Sequence, residues 1–207
     1  MNQLIIKKIQ STFRQHFNVE PMMIAAPGRI NLIGEHVDYN QGLVFPAAID
    51  KYIYAAFYKN KDEKSRIYSI DQNEWIDIDL KNIQKEAPGS WANYIIGVIH
   101  GLQQRRKIIT NFNLVFAGDI PPGAGLSSSA ALENSIVFGL NELFDLNLNK
   151  EEMIRISLEA EHKFAGVECG IMDQFASMMG RENYAILLNC NNFCYSYIPI
   201  DFNDISI

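Results

Sequence analysis

Apolar residues near the start of the chain recur in four-residue steps, at Ile5, Ile9, Phe13 and Phe17. That spacing predicts an amphipathic helix over residues 2–17. Residues 21–26 read as a strand that leads into a loop at Gly28. Two apolar runs within 42–59 read as further strands, with Pro46 at a break or an edge because proline cannot donate to a sheet ladder. A short strand follows at 67–70. Over 76–80, Ile76, Ile78 and Leu80 alternate with Asp77 and Asp79, the pattern of a half-solvated strand rather than of a metal site. Residues 91–106 read as a helix capped by Ser90, and 112–116 as a strand. Two helices are predicted at 128–144 and 150–165. The first has a buried stripe of Leu132, Ile136, Leu140, Leu143 and Phe144, and the second starts with an Asn149/Glu152 capping box. Residues 184–200 read as a hairpin turning near Asn191 and Asn192. Strands come first, then strand–loop–helix, helix and strands. This order is α+β, not a regular βαβ winding.

Composition narrows the class. The chain has 207 residues, 48% of them apolar and 20% charged, which suffices for one large core. A net charge of −6 argues against a nucleic-acid partner, which calls for a clustered basic face. No apolar run approaches the roughly 20 residues of a membrane span, and residues 1–10 lack the cleavage pattern of a signal peptide. Three cysteines, Cys169, Cys190 and Cys194, suggest reduced thiols in the cytoplasm. The Cys190–Cys194 spacing has no second Cys/His pair to complete a zinc site, so small buried hydrophobes are expected there.

Three stretches concentrate chemistry. From Gly28 to Asn40, seven of thirteen residues are Arg29, Asn31, Glu35, His36, Asp38, Tyr39 and Asn40. Closely spaced acceptors of this kind suit a polyol, and Tyr39 could supply an apolar wall. The second stretch, Pro121 to Ala130, follows a strand and opens a helix, the context in which a glycine loop binds phosphate. Gly123 and Gly125 admit positive φ. Ser127, Ser128 and Ser129 offer hydroxyls, one of which can ligate Mg²⁺, and the absent Gly-Lys-Ser/Thr excludes a Walker A loop. The third stretch, Cys169 to Gln174, carries Asp173 after a glycine turn among apolar neighbours, where a carboxylate needs a cation; Arg29 is the natural one. Glu161, on the preceding helix, could join a loop serine on Mg²⁺. Helix caps, surface loops and a solvated glutamate would explain each stretch alone, but not all three together. His16, His100 and His162 have no evident role.

Together these residues resemble a known family. Gly28-Arg29-x-Asn31-Leu32-Ile33-Gly34-Glu35-His36-x-Asp38-Tyr39-Asn40-x-Gly42 is similar to the galactokinase signature. Pro121 to Ala131 resembles the second motif of the galactokinase, homoserine kinase, mevalonate kinase and phosphomevalonate kinase superfamily. Gly166-x-x-Cys169-Gly170-Ile171-Met172-Asp173-Gln174 and Ser90-Trp91-Ala92-Asn93-Tyr94 also match galactokinases. The resemblance runs from about Ala25 to Asn189. It implies an α+β domain like ribosomal protein S5 domain 2, a mixed sheet with helices packed on one side. It also implies ATP-dependent phosphorylation of the anomeric hydroxyl of galactose. By position, Asp173 resembles the base and Arg29 its charge partner. Glu35, His36, Asp38, Gly170 and Asp173 look like sugar contacts. Pro122, Gly123, Ala124, Gly125, Leu126, Ser127, Ser128 and Ser129 resemble the phosphate cradle, Trp91 part of the adenine pocket, and Ser129 and Glu161 the Mg²⁺ ligands.

Two departures accompany the resemblance. Glu168 adds a carboxylate at a position the motif leaves open. Family members are also much longer, so residues 1–207 read as the N-terminal domain, inactive or nearly so alone. An apolar face left by the absent second domain would favour self-association. A non-catalytic galactose and ATP sensor, or a kinase of a related sugar such as N-acetylgalactosamine, are the alternatives. Retention of Ser129-Ala130 favours an enzyme over a sensor.

Overall fold

The structure is a computed structural model that describes residues 1–121 and 123–200. Helix α1 (Gln3–Phe17) begins at Asn2, whose side chain accepts the amides of Leu4 and Ile5. Strands β1 (Met22–Asn31), β2 (Leu43–Val44), β3 (Pro46–Lys59), β4 (Ser65–Ser69) and β5 (Glu74–Ile78) follow. Then come α2 (Ala92–Gln104), β6 (Phe112–Gly118), α3 (Ser128–Phe144), α4 (Lys150–Ala160), a π-turn (Glu161–Ala165), α5 (Met172–Met179), β7 (Tyr184–Asn189) and β8 (Tyr195–Pro199).

Five strands form a mixed sheet in the order β1-β3-β6-β4-β5, in which only β4 and β6 run parallel. β2, β7 and β8 form a second, antiparallel sheet. Pro46 stands at the break between β2 and β3, the two strands joining different sheets. The period-two alternation of β3 and β6 divides the core. Ala55, Phe57, Leu114 and Phe116 pack with the apolar stripes of α2 to α5. Tyr54, Ala56, Val115 and Ala117 pack against Ile9 and Phe13 of α1. The expected helical layer on one side therefore holds for α2 to α5, while α1 covers the opposite face. Asp77 lies exposed beside Arg66 at 3.6 Å, on the solvated side of β5.

Four local features depart from the sequence expectation. Residues 28–31 continue β1 instead of opening a loop, because Arg29, Ile30 and Asn31 pair with Ala48, Ala47 and Pro46. Helix α2 starts one residue later than expected and ends at Gln104; Ser90 Oγ still accepts the Ala92 amide at 3.3 Å. The expected 150–165 helix is α-helical only to Ala160 and finishes in the wider π-turn. Helix α5 was not anticipated, since eight residues are too few for periodicity to stand out. The Asn149/Glu152 capping box and the β7–β8 hairpin form as expected.

Two glycines of α2, Gly97 and Gly101, let it approach α4 closely. A Cβ on Gly97 would come within 2.6 Å of Ala160 Cβ and 2.7 Å of its Cα. Ala160 immediately precedes Glu161, where the π-turn begins. Gly97→Ala overpacks the contact and should cost about 1–3 kcal/mol of stability, read by denaturant unfolding. An unchanged midpoint would show that the helices separate freely.

Candidate active site

The site is assembled at the C-terminal end of β1. The pairing register of β1 on β3 breaks between Pro27 and Arg29. Such irregularities re-aim a side chain. Here the break brings the backbone against the glycine loop: the Arg29 amide donates to Leu126 O at 3.1 Å. A Cβ on Gly28 would sit 2.6 Å from that same oxygen, so only glycine permits the approach.

The Arg29 guanidinium reaches both other stretches. Its Nε and Nη2 donate to Asp173 Oδ1 at 2.8 and 2.7 Å, and its Nη1 donates to Gly125 O at 2.6 Å. The two charged side chains are 13% and 22% exposed, so the pair lies in a cleft rather than in bulk solvent. Asp173 Oδ2 accepts the hydroxyl of Ser127. Ser127 holds a left-handed φ of 57°, a strained value for a residue other than glycine. A cleft of about 250 Å³ is lined by Arg29, Asp173, Pro121, Gly123 and residues 124–129. Gly123 and Gly125 have φ of 69° and 68°. A Cβ on either would meet nothing within 4 Å, so backbone conformation, not crowding, demands glycine there. The first amides of α3 have no intrahelical acceptor and open at the positive end of the helix dipole, the arrangement that attracts phosphate. Pro122 lies outside the described residues.

Beneath the serines lies a buried acidic cluster. Ser129 Oγ donates to Glu161 Oε1 at 2.9 Å. Glu161 Oε2 accepts from Gln174 Nε2 and, at 3.4 Å, from the Cys169 thiol. Gln174 Nε2 also donates to Glu133 Oε2 at 3.1 Å. Glu133 is fully buried. Burial, reinforced by the charge of Glu161, raises its carboxyl well above the ordinary range against the opposing bond from Gln174. Burial also raises Glu161, against its bonds to Ser129 and Cys169. Cys169 is pushed far up by burial and by Glu161, which keeps it a thiol. Burial, with help from Asp38, pushes Cys190 up to about 11. Cys190 is buried as expected, but Cys194 is exposed.

The sugar-type residues occupy the turns between β1 and β2. The Asp38 carboxylate lies directly over Gly170, where a Cβ would come within 2.2 Å of Oδ2. The dense loop thus meets the turn that carries Asp173. Asn31 Nδ2 holds Glu35 Oε1 at 2.9 Å, and Tyr39 OH lies 3.0 Å from His36 Nδ1; Glu35, His36 and Tyr39 are exposed. Trp91 stands apart from the cleft lining. Its indole N–H donates to Glu74 at 2.6 Å and its ring meets Phe116 edge-on at 5.3 Å. Glu168 is exposed, and His162 Nε2 lies 2.8 Å from Cys169 O. Sequence reasoning missed the contact of Ser127 with Asp173, gave Gln174 no role and missed Glu133 altogether. The only signal for Glu133 was a carboxylate flanked by the apolar stripe of α3.

Comparison with known proteins identifies the family. The family model for the GHMP kinases N terminal domain matches residues 93–181, and the galactokinase galactose-binding signature matches residues 11–59. The chain belongs to the GHMP kinases, and within them its relatives are galactokinases. The galactokinase of Fusobacterium nucleatum is 42% identical over 210 residues, covering 100% of this chain and 54% of that protein. The crystal structure of Lactococcus lactis galactokinase complexed with galactose superposes with a TM-score of 0.91 at 36% identity, over 97% of this chain and 53% of that one. Methanococcus jannaschii mevalonate kinase shares the fold, with a TM-score of 0.74 at 20% identity over 88% of this chain and 57% of that one. The chain spans about half the length of the curated relatives it matches.

The buried acid makes stability depend on pH. Unfolded, Glu133 ionises near its ordinary value; folded, it holds its proton to higher pH. Its contribution is complete below the ordinary value and is lost as pH rises toward the raised one. Glu133→Gln removes that loss, so the melting temperature of the variant relative to the parent should rise as pH climbs from the ordinary carboxylate range to the raised one. Calorimetry finding the same difference at both ends would refute a neutral Glu133.

Proposed function

We propose that the chain is the N-terminal, substrate-binding domain of a galactokinase, which transfers the γ-phosphoryl group of ATP to the C1 hydroxyl of α-D-galactose. The observation that carries this reading is the Arg29–Asp173 pair at 2.8 Å in a cleft lined by the serine loop. Phosphoryl transfer asks for positioning and charge neutralisation more than for covalent chemistry, and those are what the cleft offers.

In this reading Glu35, His36, Asp38 and Gly170 bind the sugar. Arg29 orients Asp173 by engaging Oδ1 alone, which leaves Oδ2 to receive the proton of the attacking hydroxyl in place of that of Ser127. Amides of residues 123–129 cradle the phosphates, and the resemblance alone assigns Trp91, which lies outside the cleft lining, to the adenine. Ser129 and Glu161 fit Mg²⁺: two hard oxygens 2.9 Å apart suit an ion that takes one or two protein ligands beside phosphate and water. Among the described residues no set of three or more His, Cys, Asp or Glu side chains offers a closed cage, in keeping with a nucleotide-borne ion. Mg²⁺ would neutralise the charge of the transferred phosphoryl group. Arg29 and the loop amides hold charge fixed around that position.

Residues 1–207 would then be one domain, with the second supplied by chain beyond the matched half of the relatives. Leu43, Leu187, Tyr195 and Ile198, between 37% and 58% exposed on the small sheet, are available to a docking partner. No helix of the described residues is long and apolar enough to cross a membrane, and free thiols accord with the cytoplasm.

Two experiments test the reading. The protein extended to the length of its relatives should release ADP from ATP only when galactose is present, and Asp173→Asn should slow turnover by about 10²–10⁴. Undiminished turnover would discard the proposed base. Galactose binding without turnover by that longer protein would favour the sensor. Separately, light scattering of the 207-residue chain should reveal self-association that grows with concentration. A persistent monomer would count against an uncovered docking face.

A further inference from the structure

We infer that Gln174 is the positioning residue that aims Glu161 at the metal-bound nucleotide, and that α3 holds Gln174 in place through Glu133 and Asn134. This rests on the kinase reading above and extends it to residues outside the cleft lining. Gln174 is fully buried. A primary amide has two N–H groups, and here both go to carboxylates: one to Glu161 Oε2, the other to Glu133 Oε2 at 3.1 Å. The Gln174 backbone is held as well, its carbonyl accepting Asn134 Nδ2 at 2.9 Å. Two adjacent residues of α3 thus grip both parts of one residue of α5.

The grip decides which oxygen of Glu161 faces the serine loop. With Oε2 tied back to Gln174, Oε1 is the oxygen that meets Ser129 at 2.9 Å. Without the amide, Oε2 would keep only the Cys169 thiol at 3.4 Å, a weak donor. Glu161 could then turn within the wider backbone of the π-turn that carries it. Gln174 also follows Asp173 directly. Consecutive helical residues point about 100° apart, so one turn of α5 sends Asp173 to Arg29 and Gln174 to Glu161. The spacing of proposed base and proposed metal ligand is thereby built into a single helical turn. Glu133 belongs to this device as an acceptor. Its Oε1 and the Gln174 Oε1 have no partner, a cost the fold bears in order to place one amide between two acids.

Calorimetric titration of the chain with Mn²⁺ in the presence of ADP tests the inference. Gln174→Leu should weaken Mn²⁺ binding by about tenfold or more, the usual effect of losing a residue that orients a ligand. ADP binding measured in EDTA should stay within about twofold of the parent. Because the single variant strands two acids, Glu133→Leu/Gln174→Leu serves as its control. Thermal melting should recover there, while Mn²⁺ affinity stays low. Glu133→Gln keeps the acceptor and should bind Mn²⁺ within about twofold of the parent. Parent-like Mn²⁺ affinity in the double variant, or a parallel loss of metal-free ADP binding, would reduce Gln174 to a packing role and overturn the inference. Glu161→Ala examines the underlying reading on its own: it should abolish the Mn²⁺ increment whatever Gln174 does. Undiminished metal binding there would remove the ligand and the inference together.

Discussion

The site depends on one guanidinium. Arg29 joins the end of β1, the carbonyl of Gly125 and the carboxylate of Asp173, which lies 144 residues away in sequence. Removing one member of such a pair leaves a half-buried charge without its partner, which costs far more than the pair itself contributes. The three segments are therefore held to a common geometry by electrostatic necessity. That necessity reaches back into the sheet, where the break in pairing at Gly28 lets the strand end lie on the loop.

Three carboxylates gather behind this point, and each is accommodated differently. Asp173 has a cation and a hydroxyl. Glu161 has three neutral donors, from Ser129, Gln174 and Cys169. Glu133 has one amide and full burial, which raises its carboxyl well above the ordinary range. Acids placed this close cannot all ionise cheaply in a low-dielectric interior. Burial raises the carboxyls of both Glu133 and Glu161, while Asp173 has the guanidinium of Arg29 beside it.

Several irregular backbone segments meet at the same place. The register break of β1, the left-handed Ser127, the positive-φ glycines of the loop and the π-turn at Glu161 all border the cleft. Around it stands an alternating five-stranded sheet between α1 and the other four helices. Strained or wide backbone persists only where its surroundings over-determine it. The packing of α2 on α4 at Gly97 and the bonds from α3 to Gln174 are what over-determine it here.

Much of this was legible from the chain. The helices α1, α3 and α4, the alternating strands, the Asn149 cap and the three polar stretches follow from periodicity and local hydrogen-bonding chemistry, which act over a few residues. The pairing of Arg29 with Asp173 was inferable because a carboxylate among apolar neighbours must find a cation. The sequence was silent on Ser127 turning to Asp173, on Gln174 reaching two acids, on Asp38 lying over Gly170 and on Trp91 standing apart from the cleft. It also missed the strand continuing through Gly28 to Asn31, since glycine and polar residues read locally as a loop although β3 offered them partners. Local propensity and composition thus determined which elements form and which chemistry they carry. Which side chains meet, and which acids are pushed toward their neutral form, was decided only when burial and distant partners were set by the packed fold.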